Sequence, residues 1–464
     1  MSNKRLYTVT DLGPGDGGKG GLLHTICHKA RPHTVVKIGG AQGSHGVHTS
    51  HGEKFAFSQF GCGTLQGIRT HISDRFVMSP IGIIPEADAL RYKVGVHDAL
   101  SLLTVDGRAL CSTPFHGIAS RLRELARKNN PRGSVGTGVG EAYRDSLLFP
   151  EFALYASDLV PPNLSEKLEA SRGQVILGLS SVLDMDFLAS DQDEAQHMIS
   201  LLNDRNYSDY VLGKFKELAG VIKIVSNDYE PEVILGRDGA VVYESSHGAL
   251  TDPTHGFLPH TSKIRTLPQH LVWDLLEDWG YDGRVIKFAV SRAYQIRHGA
   301  GPMPTDSPAL RDRLLTGAVV EEYDRYRGEV RVGALDLVSM RYGIAGCGGP
   351  VAFDALAIMC FDQVVDDGVW SVCHSYEGAD SPEYFASPSE IRLGDSTCPK
   401  HAHYLEGLTQ KLYGCRPIIT DYVVPKNLGS HRQAELCNTV LSESLGIPVR
   451  VVSVGPTEKN KIFL

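Results

Sequence analysis

A glycine-rich stretch near the start of the chain has the residue types of a phosphate-binding loop. Residues 13–20 read Gly-Pro-Gly-Asp-Gly-Gly-Lys-Gly, which matches the G-x-x-x-x-G-K spacing of such loops. Backbone N–H groups before a helix can converge on an anion, and a lysine adds positive charge. The sequence therefore predicts that these residues bind the phosphates of a nucleotide: Gly13, Gly15, Gly18, Lys19 and Gly20.

The residue after the lysine sets this loop apart from the common form. A Ser or Thr usually stands there and its hydroxyl binds Mg²⁺, whereas this chain has Gly20 and carries a carboxylate earlier, at Asp16. We therefore predict that Asp16 holds the metal. Two other interpretations stay open, because the glycines could simply form a tight turn and Asp16 could cap the following helix.

The elements around this loop predict an α/β fold. A strand over 6–10, the loop, a helix over 22–29 and a strand over 34–38 give the βαβ order of a parallel sheet. We predict a central mixed, mainly parallel sheet with a P-loop-like nucleotide site and helical insertions. Further strands are predicted at 76–78, 174–178, 221–225, 240–243, 285–290, 355–360 and 449–454.

The domain organisation is predicted from length and from local composition. We expect residues 1–464 to form a single domain, with a helical insertion or subdomain at about 150–238. That region carries charged helical patterns at 191–203 and 209–218. The segment 375–398, rich in Ser, Pro and acidic residues, is predicted to be an excursion before the last unit.

Composition excludes several classes of function. A net charge of −8 provides no basic stripe for a nucleic-acid backbone. The nine cysteines form no C-x-x-C pair, which argues against a zinc ribbon or a thioredoxin-type site. No signal peptide precedes the first strand, and no apolar run approaches the roughly 18 residues of a membrane span. We therefore expect a cytoplasmic protein with neither nucleic-acid nor membrane partners.

Motifs along almost the whole chain resemble those of the adenylosuccinate synthetase family. Residues 15–21 resemble its G-D-E-G-K-G-K loop, and 39–46 resemble G-G-x-N-A-G-H-T at the same spacing. Residues 297–305 are similar to R-V-G-A-G-P-F-P-T. Further collinear matches lie at residues 52–54, 78–80, 133–143, 243–248 and 453–456.

The resemblance implies a mechanism. In the family a nucleoside triphosphate, with Mg²⁺, phosphorylates the 6-oxygen of inosine monophosphate (IMP), and the amine of L-aspartate then displaces that phosphate. Asp16 matches the general base that deprotonates the purine, and His45 matches the acid that stabilises the migrating phosphoryl group. Ser44 is implied as a metal ligand together with Asp16. A histidine in a glycine-rich segment can also be an ordinary loop residue, so that interpretation of His45 stays open.

The same resemblance implies the remaining contacts. Asp362 stands where the family's aspartate accepts two N–H donors of guanine, which favours GTP over ATP, although Cys360 replaces the neighbouring lysine. His247 replaces a glutamine that faces the base. The implied nucleotide-binding residues are completed by Ser453, Gly455 and Pro456, and the implied substrate-binding residues are Gln42, Val135, His247, Ser262, Arg297, His298, Arg327 and Arg331.

The family's aspartate-binding loop is the part that departs most. Its T-T-G-R-R-R-R-T-G-W-L-D pattern is lost in residues 324–336, although Arg325, Arg327 and Arg331 could clamp a dicarboxylate or could be a solvated basic face. A homodimer is expected by family analogy alone.

Alternatives to the IMP-dependent ligase stay open. The first is a 2-aminoadenylosuccinate synthase acting on GMP or deoxyGMP, as in phage-type relatives. The second is a regulatory protein that binds nucleotides without turnover. The third is a GTPase-type enzyme, against which the missing Ser or Thr after Lys19 argues.

Overall fold

A computed structural model describes residues 3–315, 323–326 and 328–464. Strands form where β-branched and aliphatic residues are concentrated, since such side chains pack well on a pleated surface. In chain order the strands are β1 (Lys4–Asp11), β2 (Thr34–Gly40), β3 (His45–His48), β4 (Lys54–Phe57), β5 (Arg69–Val77), β6 (Leu103–Asp106), β7 (Lys223–Val225), β8 (Gly239–Gly248), β9 (Arg284–Arg292), β10 (Gln295–His298), β11 (Tyr323–Asp324), β12 (Gly328–Gly333), β13 (Leu335–Asp336), β14 (Ala355–Met359), β15 (Val369–Glu377), β16 (Phe385–Ser387), β17 (Glu390–Ile391), β18 (Arg416–Val423), β19 (Val449–Ser453) and β20 (Lys461–Phe463).

Helices form where apolar residues recur every three or four positions, as at Val211, Phe215 and Leu218 on the buried side of one helix. In chain order the α-helices are α1 (Lys19–Ala30), α2 (Pro80–Val94), α3 (Pro114–Ala126), α4 (Val139–Leu148), α5 (Leu164–Gly178), α6 (Ser180–Leu183), α7 (Gln192–Asn203), α8 (Arg205–Ala219), α9 (Asp274–Asp278), α10 (Pro308–Leu314), α11 (Leu337–Gly346), α12 (Phe361–Asp367), α13 (His401–Leu412) and α14 (Ser430–Leu445).

The main sheet confirms the predicted fold class. Its ten strands lie in the order β20-β19-β14-β9-β1-β8-β2-β5-β6-β7. All neighbouring strands are parallel except the edge pair β19 and β20, which is antiparallel. The sheet is therefore mixed and mainly parallel, with helices packed on it.

The central strands are covered on both faces. Every residue of β2 is buried. Val35 belongs to one hydrophobic cluster, while Val36 and Ile38 belong to another, as expected when successive side chains point to opposite faces. Burial on both faces explains why apolar residues do not alternate with exposed polar ones along this strand, and why its one charged residue, Lys37, is itself buried.

The parallel arrangement gathers several polar residues at one edge of the sheet. Strands β1, β2, β8, β9 and β14 run in the same direction, so their carboxyl ends meet there. In open α/β sheets this edge is where ligands bind.

One predicted strand is wrong. Residues 174–178 form the end of α5 and no strand. The buried residues of α5 include Leu164, Leu168 and Val175, which share the spacing of a helix face. A short apolar run such as 174–178 is compatible with either element when taken alone, and the longer period decides it.

The two predicted excursions have clear positions in the structure. Helices α5, α6, α7 and α8 all lie between residues 164 and 219, and the same region adds β7 to the edge of the main sheet. Its status as a separate insertion or subdomain stays a prediction. The segment 375–398 contains the end of β15 and the small hairpin of β16 and β17. Among the described residues, no helix is both long enough and apolar enough to cross a bilayer.

Replacing either of two helix glycines with alanine should change the free energy of unfolding, in opposite directions. A Cβ on Gly343, in α11, would lie 2.5 Å from the Leu12 carbonyl oxygen, whereas a Cβ on Gly213, in α8, meets nothing within 4 Å. We expect Gly343→Ala to lower the free energy of unfolding by about 1–3 kcal/mol through overpacking. Gly213→Ala should raise it by about 0.5–1 kcal/mol. Urea unfolding measures both, and equal effects would contradict this packing.

Candidate active site

Asp11, the last residue of β1, fixes the shape of the glycine-rich loop. Its carboxylate accepts hydrogen bonds from the backbone N–H groups of Gly13 at 2.9 Å and Gly17 at 2.8 Å. The same carboxylate pairs with Lys19 Nζ at 2.9 Å. Because Asp11 is 1% exposed and Lys19 3%, each charge depends on the other for compensation. Asp11 was not predicted as a site residue, although its place between strand and loop was a usable signal.

Glycines allow this loop to touch the ends of three strands. A Cβ on Gly248, the last residue of β8, would lie 2.1 Å from the Gly13 carbonyl oxygen. A Cβ on Gly20 would lie 2.4 Å from the backbone oxygen of Gly46, in β3. Gly18 has a φ of +86°, and a Cβ there would lie 2.6 Å from the side chain of Met359, at the end of β14. The loop is thus enclosed by β3, β8 and β14.

Asp16 lies at the tip of the loop, where its side chain meets that of His298. The two side chains are 3.2 Å apart, and that of Asp16 is 41% exposed. Asp16 has a φ of +58°, and Arg292 Nε donates to its backbone oxygen at 2.6 Å. Helix α1 begins after Gly18 with no side-chain cap, so Asp16 does not cap that helix.

A buried carboxylate, Glu244 of β8, joins three other residues. It pairs with Lys37 Nζ at 2.7 Å and with His45 Nδ1 at 2.8 Å. Both contacts are with Oε1, to which the Cys62 thiol also donates at 3.4 Å, while Oε2 accepts from the backbone N–H of Cys62 at 2.9 Å. Lys37 and Glu244 are register partners on adjacent parallel strands. We call these four residues the Glu244 cluster.

Burial and charge act against each other in the Glu244 cluster. Burial pushes the pKa of Glu244 upward, but Lys37 and His45 outweigh it and hold that pKa well below its usual range. Burial lowers the pKa of His45, and the hydrogen bond with Glu244 offsets this only in part. His45 Nε2 is buried and has no hydrogen-bond partner among the described residues. The His45 ring is therefore oriented through Nδ1, with Nε2 left for another group.

The predicted substrate-binding residues Gln42 and His247 also meet. Gln42 Nε2 lies 3.0 Å from His247 Nε2, and Ser246 Oγ lies 2.9 Å from His247 Nδ1. Burial, with Lys19 next in effect, lowers the pKa of His247 to about 4. A neutral His247 therefore accepts from the amide of Gln42 and donates to Ser246.

The residues predicted to bind the donor nucleotide near its base follow β14 or lie at the end of β19. Asp362 is in the first turn of α12, and burial raises its pKa. Ser453 Oγ donates to the carbonyl of Gly455 at 2.8 Å. The packing of Gly18 on Met359 places β14 beside the loop, whereas Pro456 is exposed.

Arg297 is a buried cation in β10. It is 6% exposed and donates to the carbonyl oxygens of Ala300 at 2.9 Å and His260 at 3.4 Å. No carboxylate pairs with it within the described part of the chain. Burial, followed by repulsion from Arg331, lowers its pKa to about 10. Ser262 is part-buried and accepts from the backbone N–H of Ile264.

The arginines predicted to clamp a dicarboxylate are placed differently from one another. Arg331 pairs with Asp306 at 2.7 Å and donates to the carbonyls of Gly299 and Gly301. Arg325 pairs with Asp191 and Glu194, near the start of α7. Arg327 lies outside the described residues. Val135 lies, half-buried, in an irregular segment before α4, and Ser44 is exposed just before β3.

The family follows from a match over nearly the whole chain. The model of the family described as "Adenylosuccinate synthetase" matches residues 9–462. The chain belongs to the adenylosuccinate synthetase family. Adenylosuccinate synthetases are ligases that form C–N bonds, so this chain is an enzyme of that class.

Named relatives show how far the chain has diverged. It is 25% identical over 467 residues to the adenylosuccinate synthetase of Xanthomonas oryzae pv. oryzae, covering 97% of this chain and 96% of that one. A synthetase from Parabacteroides distasonis is 25% identical over 455 residues, with the same coverage. Coverage of nearly the whole length at low identity indicates a divergent member of the family.

Two solved structures share the fold. The fully ligated adenylosuccinate synthetase of Plasmodium falciparum has a TM-score of 0.74 at 16% identity, with 99% of each chain covered. The succinoaminodeoxyadenylate synthetase (PurZ) of cyanophage S-2L, bound to dGMP and dATP as an energy donor, has a TM-score of 0.57 at 14% identity, covering 99% of this chain and 95% of that one.

The Glu244 cluster generates a stability prediction. Glu244→Gln leaves Lys37 buried without a counter-charge, and we expect it to lower the free energy of unfolding by about 3–5 kcal/mol at neutral pH. The double variant Lys37→Met/Glu244→Gln removes both charges, so its free energy of unfolding should fall by less than that of the single variant. Chemical denaturation measures all three proteins.

The pH dependence gives a second readout of the same cluster. Because the folded-state pKa of Glu244 lies below its ordinary value of 4.5, the stabilisation is present above that value and is lost as the pH falls below it. The difference in the free energy of unfolding between the wild type and Glu244→Gln should therefore become smaller as the pH is lowered. A difference that stays constant with pH would contradict the ion pair.

Proposed function

We propose that this chain is a nucleotide-dependent ligase that phosphorylates the 6-oxygen of a purine monophosphate, with IMP as first choice. The amine of L-aspartate then displaces the phosphate, giving adenylosuccinate, GDP and phosphate. The observation that carries the proposal is the placement of Asp16 and the Glu244 cluster at one glycine-rich loop. Asp16 is on the loop itself, and His45 is next to Gly46, which Gly20 contacts.

Asp16 is proposed as the general base. The 6-oxygen of a purine is a poor nucleophile until N1–H is removed, and a carboxylate within hydrogen-bond reach can remove it. The side chain of Asp16 is part-exposed, while its backbone is fixed by Arg292. This arrangement leaves a carboxylate accessible to substrate on a backbone that is already ordered. His298 supports the same carboxylate at 3.2 Å.

His45 is proposed to interact with the migrating phosphoryl group. Its Nδ1 is bonded to Glu244, so the ring can act only through Nε2. A phosphoryl group brings negative charge, which favours a protonated imidazole. As a cation, His45 would donate from Nε2 to the oxygen being phosphorylated, while Glu244 stabilises the positive ring.

Two sets of side chains at the site offer ligand atoms for a metal ion, and only one of them suits the proposed Mg²⁺. His45, Cys62 and Glu244 lie close together, but they offer nitrogen and sulfur donors, and the carboxylate already binds Lys37. Magnesium prefers oxygen ligands, which the Asp16 carboxylate and nucleotide phosphates would provide. The hydroxyl of Ser44, the residue before His45, is the other predicted ligand. When bound there, Mg²⁺ would supply positive charge to the phosphates.

The donor nucleotide is proposed from one residue of this chain, and the amine donor from family membership. GTP is first choice because Asp362 matches a residue that reads guanine, with ATP as the alternative. L-aspartate is first choice by family membership. Arg297 is a buried cation without a carboxylate partner among the described side chains, and it could bind an anionic group of either substrate. A homodimer stays a prediction from family analogy.

A second candidate substrate is GMP or deoxyGMP. The fold is shared with the cyanophage synthetase whose structure contains dGMP. At the predicted base contact this chain has His247, which pairs with Gln42. A changed base contact permits a purine with a different substituent. IMP remains first because the chain has Asp16 as its candidate base.

Removing the proposed base should lower turnover without unfolding the protein. We expect Asp16→Asn to reduce kcat by about 10²-fold or more, since general-base catalysis contributes that much. Asp98→Asn is the matched control, because Asp98 is an exposed carboxylate just after α2. Steady-state phosphate release measures both variants. Equal rates for Asp16→Asn and Asp98→Asn would remove Asp16 from the mechanism.

Substrate identity is tested by omission. Phosphate release is measured with GTP or ATP, with IMP, GMP or deoxyGMP, and with or without L-aspartate, and products are identified by mass. We expect release only when GTP, IMP and L-aspartate are all present. Dependence on a guanine monophosphate would select the second candidate, and release without a purine monophosphate or amino acid would contradict a ligase.

A further inference from the structure

Lys461, in the last strand, fixes the turn that follows β19. Its side chain is buried, with 6% of the residue exposed. Nζ donates to the carbonyl oxygens of Gly455 and Thr457, each at 2.8 Å. Lys461 is also the register partner of Ser453 across the antiparallel pair of β19 and β20. One side chain therefore links the final strand to the turn that contains two predicted nucleotide-binding residues, Gly455 and Pro456.

The same amine lies beside the start of α1 and the end of β14. A Cβ placed on Gly21 would be 4.0 Å from Lys461 Nζ and 3.3 Å from Met359 Cε. Gly18, one turn earlier, packs against the same methionine. Lys461 is thus in the wall between the glycine-rich loop and the turn after β19.

Three groups of negative or ionisable character act on this ammonium. They are Cys360 and Asp362 at the junction of β14 and α12, and Glu458 in the turn before β20. Arg292 also acts on Cys360 and Asp362, and His48 is the further titratable group that Lys461 influences. Burial lowers the pKa of Lys461 to about 8, with Cys360, Asp362 and Glu458 opposing that effect.

Cys360 stands where the resembled family has a lysine, so a positive charge is missing beside Asp362 at that position. The synthetase motif resembled by residues 359–362 has a lysine before its guanine-reading aspartate, and this chain has Cys360 there. Cys360 has a φ of +59°, at the start of α12. The amine missing from that position is present on Lys461, whose charge acts on both Cys360 and Asp362.

We propose that Lys461 is a specificity-determining residue of the donor-nucleotide site, which orders the turn after β19 and supplies the amine that is missing at Cys360. Two of its N–H groups bind the turn carbonyls. An ammonium has three donors, so one N–H is left for an oxygen of the nucleotide. The inference rests on the proposed function, because it assumes that a nucleoside triphosphate binds at this turn and at Asp362.

Binding measurements separate this role from a general effect on folding. The variants are Lys461→Thr, Lys461→Arg as the charge-conserving variant, and Lys459→Thr as the control, because Lys459 is an exposed lysine two residues away. Calorimetry with GDP and Mg²⁺, and separately with ADP and Mg²⁺, gives Kd for each protein. Thermal unfolding of each variant reports whether the fold is intact.

We expect Lys461→Thr to weaken GDP binding by about 10- to 100-fold, which corresponds to the loss of one charged hydrogen bond to the nucleotide. Lys461→Arg should recover much of the affinity, and Lys459→Thr should bind as the wild type does. ADP binding should change less than GDP binding, since Asp362 is the group that selects guanine.

A pH series tests the same role, and its first prediction concerns the wild type alone. Lys461 loses its charge as the pH rises through its pKa of about 8, so wild-type affinity for GDP should fall between about pH 7 and pH 9. The affinity of Lys461→Thr for GDP should not show this fall. The pH profile of the Lys459→Thr control corrects the measured affinities for ionisation of guanine itself.

Failure of this inference and failure of the proposed function are distinguishable. Wild-type binding of GDP with an unchanged Lys461→Thr and no difference in pH dependence would overturn the role of Lys461 alone. If the wild type bound neither GDP nor ADP, both the nucleotide site and the role of Lys461 would be rejected.

Discussion

The ion pair between Lys37 and Glu244 is the interaction on which the geometry of the site depends. The two residues are register partners on adjacent parallel strands in the centre of the main sheet, and both are almost completely buried. Separating them would require the strands to shift or a buried charge to lose its partner. Glu244 also orients His45 and binds the backbone of Cys62, so the sheet itself sets the direction of the His45 ring.

A second buried ion pair, between Asp11 and Lys19, does the same for the glycine-rich loop. Asp11 ends the strand that neighbours β8, and its carboxylate binds two loop N–H groups as well as the ammonium. The two pairs lie on neighbouring strands of one sheet, Asp11 at the carboxyl end of β1 and Glu244 inside β8, in register with Val9. A carboxylate at the loop tip and an oriented histidine are thereby held on a common rigid base, which is what phosphoryl transfer needs for positioning.

The sequence predicted the sheet, the loop and its flanking elements because those depend on local pattern and on collinear motifs. It did not predict Asp11 as the partner of Lys19, nor Lys37 and Cys62 as partners of Glu244. Lys37 and Glu244 are 207 residues apart, so only the strand order makes them neighbours. The apolar run at 174–178 was too short to distinguish a strand from a helix. The arginines at 325 and 331 could be recognised as basic but not as partners of Asp191 and Asp306, since those contacts depend on tertiary packing.

The fate of the 6-oxygen of the purine distinguishes phosphorylation of the substrate from hydrolysis of the nucleotide. The enzyme is supplied with GTP, L-aspartate and IMP that carries ¹⁸O at the 6-position, and the released phosphate is analysed by mass spectrometry. If the 6-oxygen is phosphorylated and then displaced, the label must appear in the phosphate and be absent from the nucleotide product. Unlabelled phosphate would mean that water accepted the phosphoryl group, which would contradict the proposed roles of Asp16 and His45.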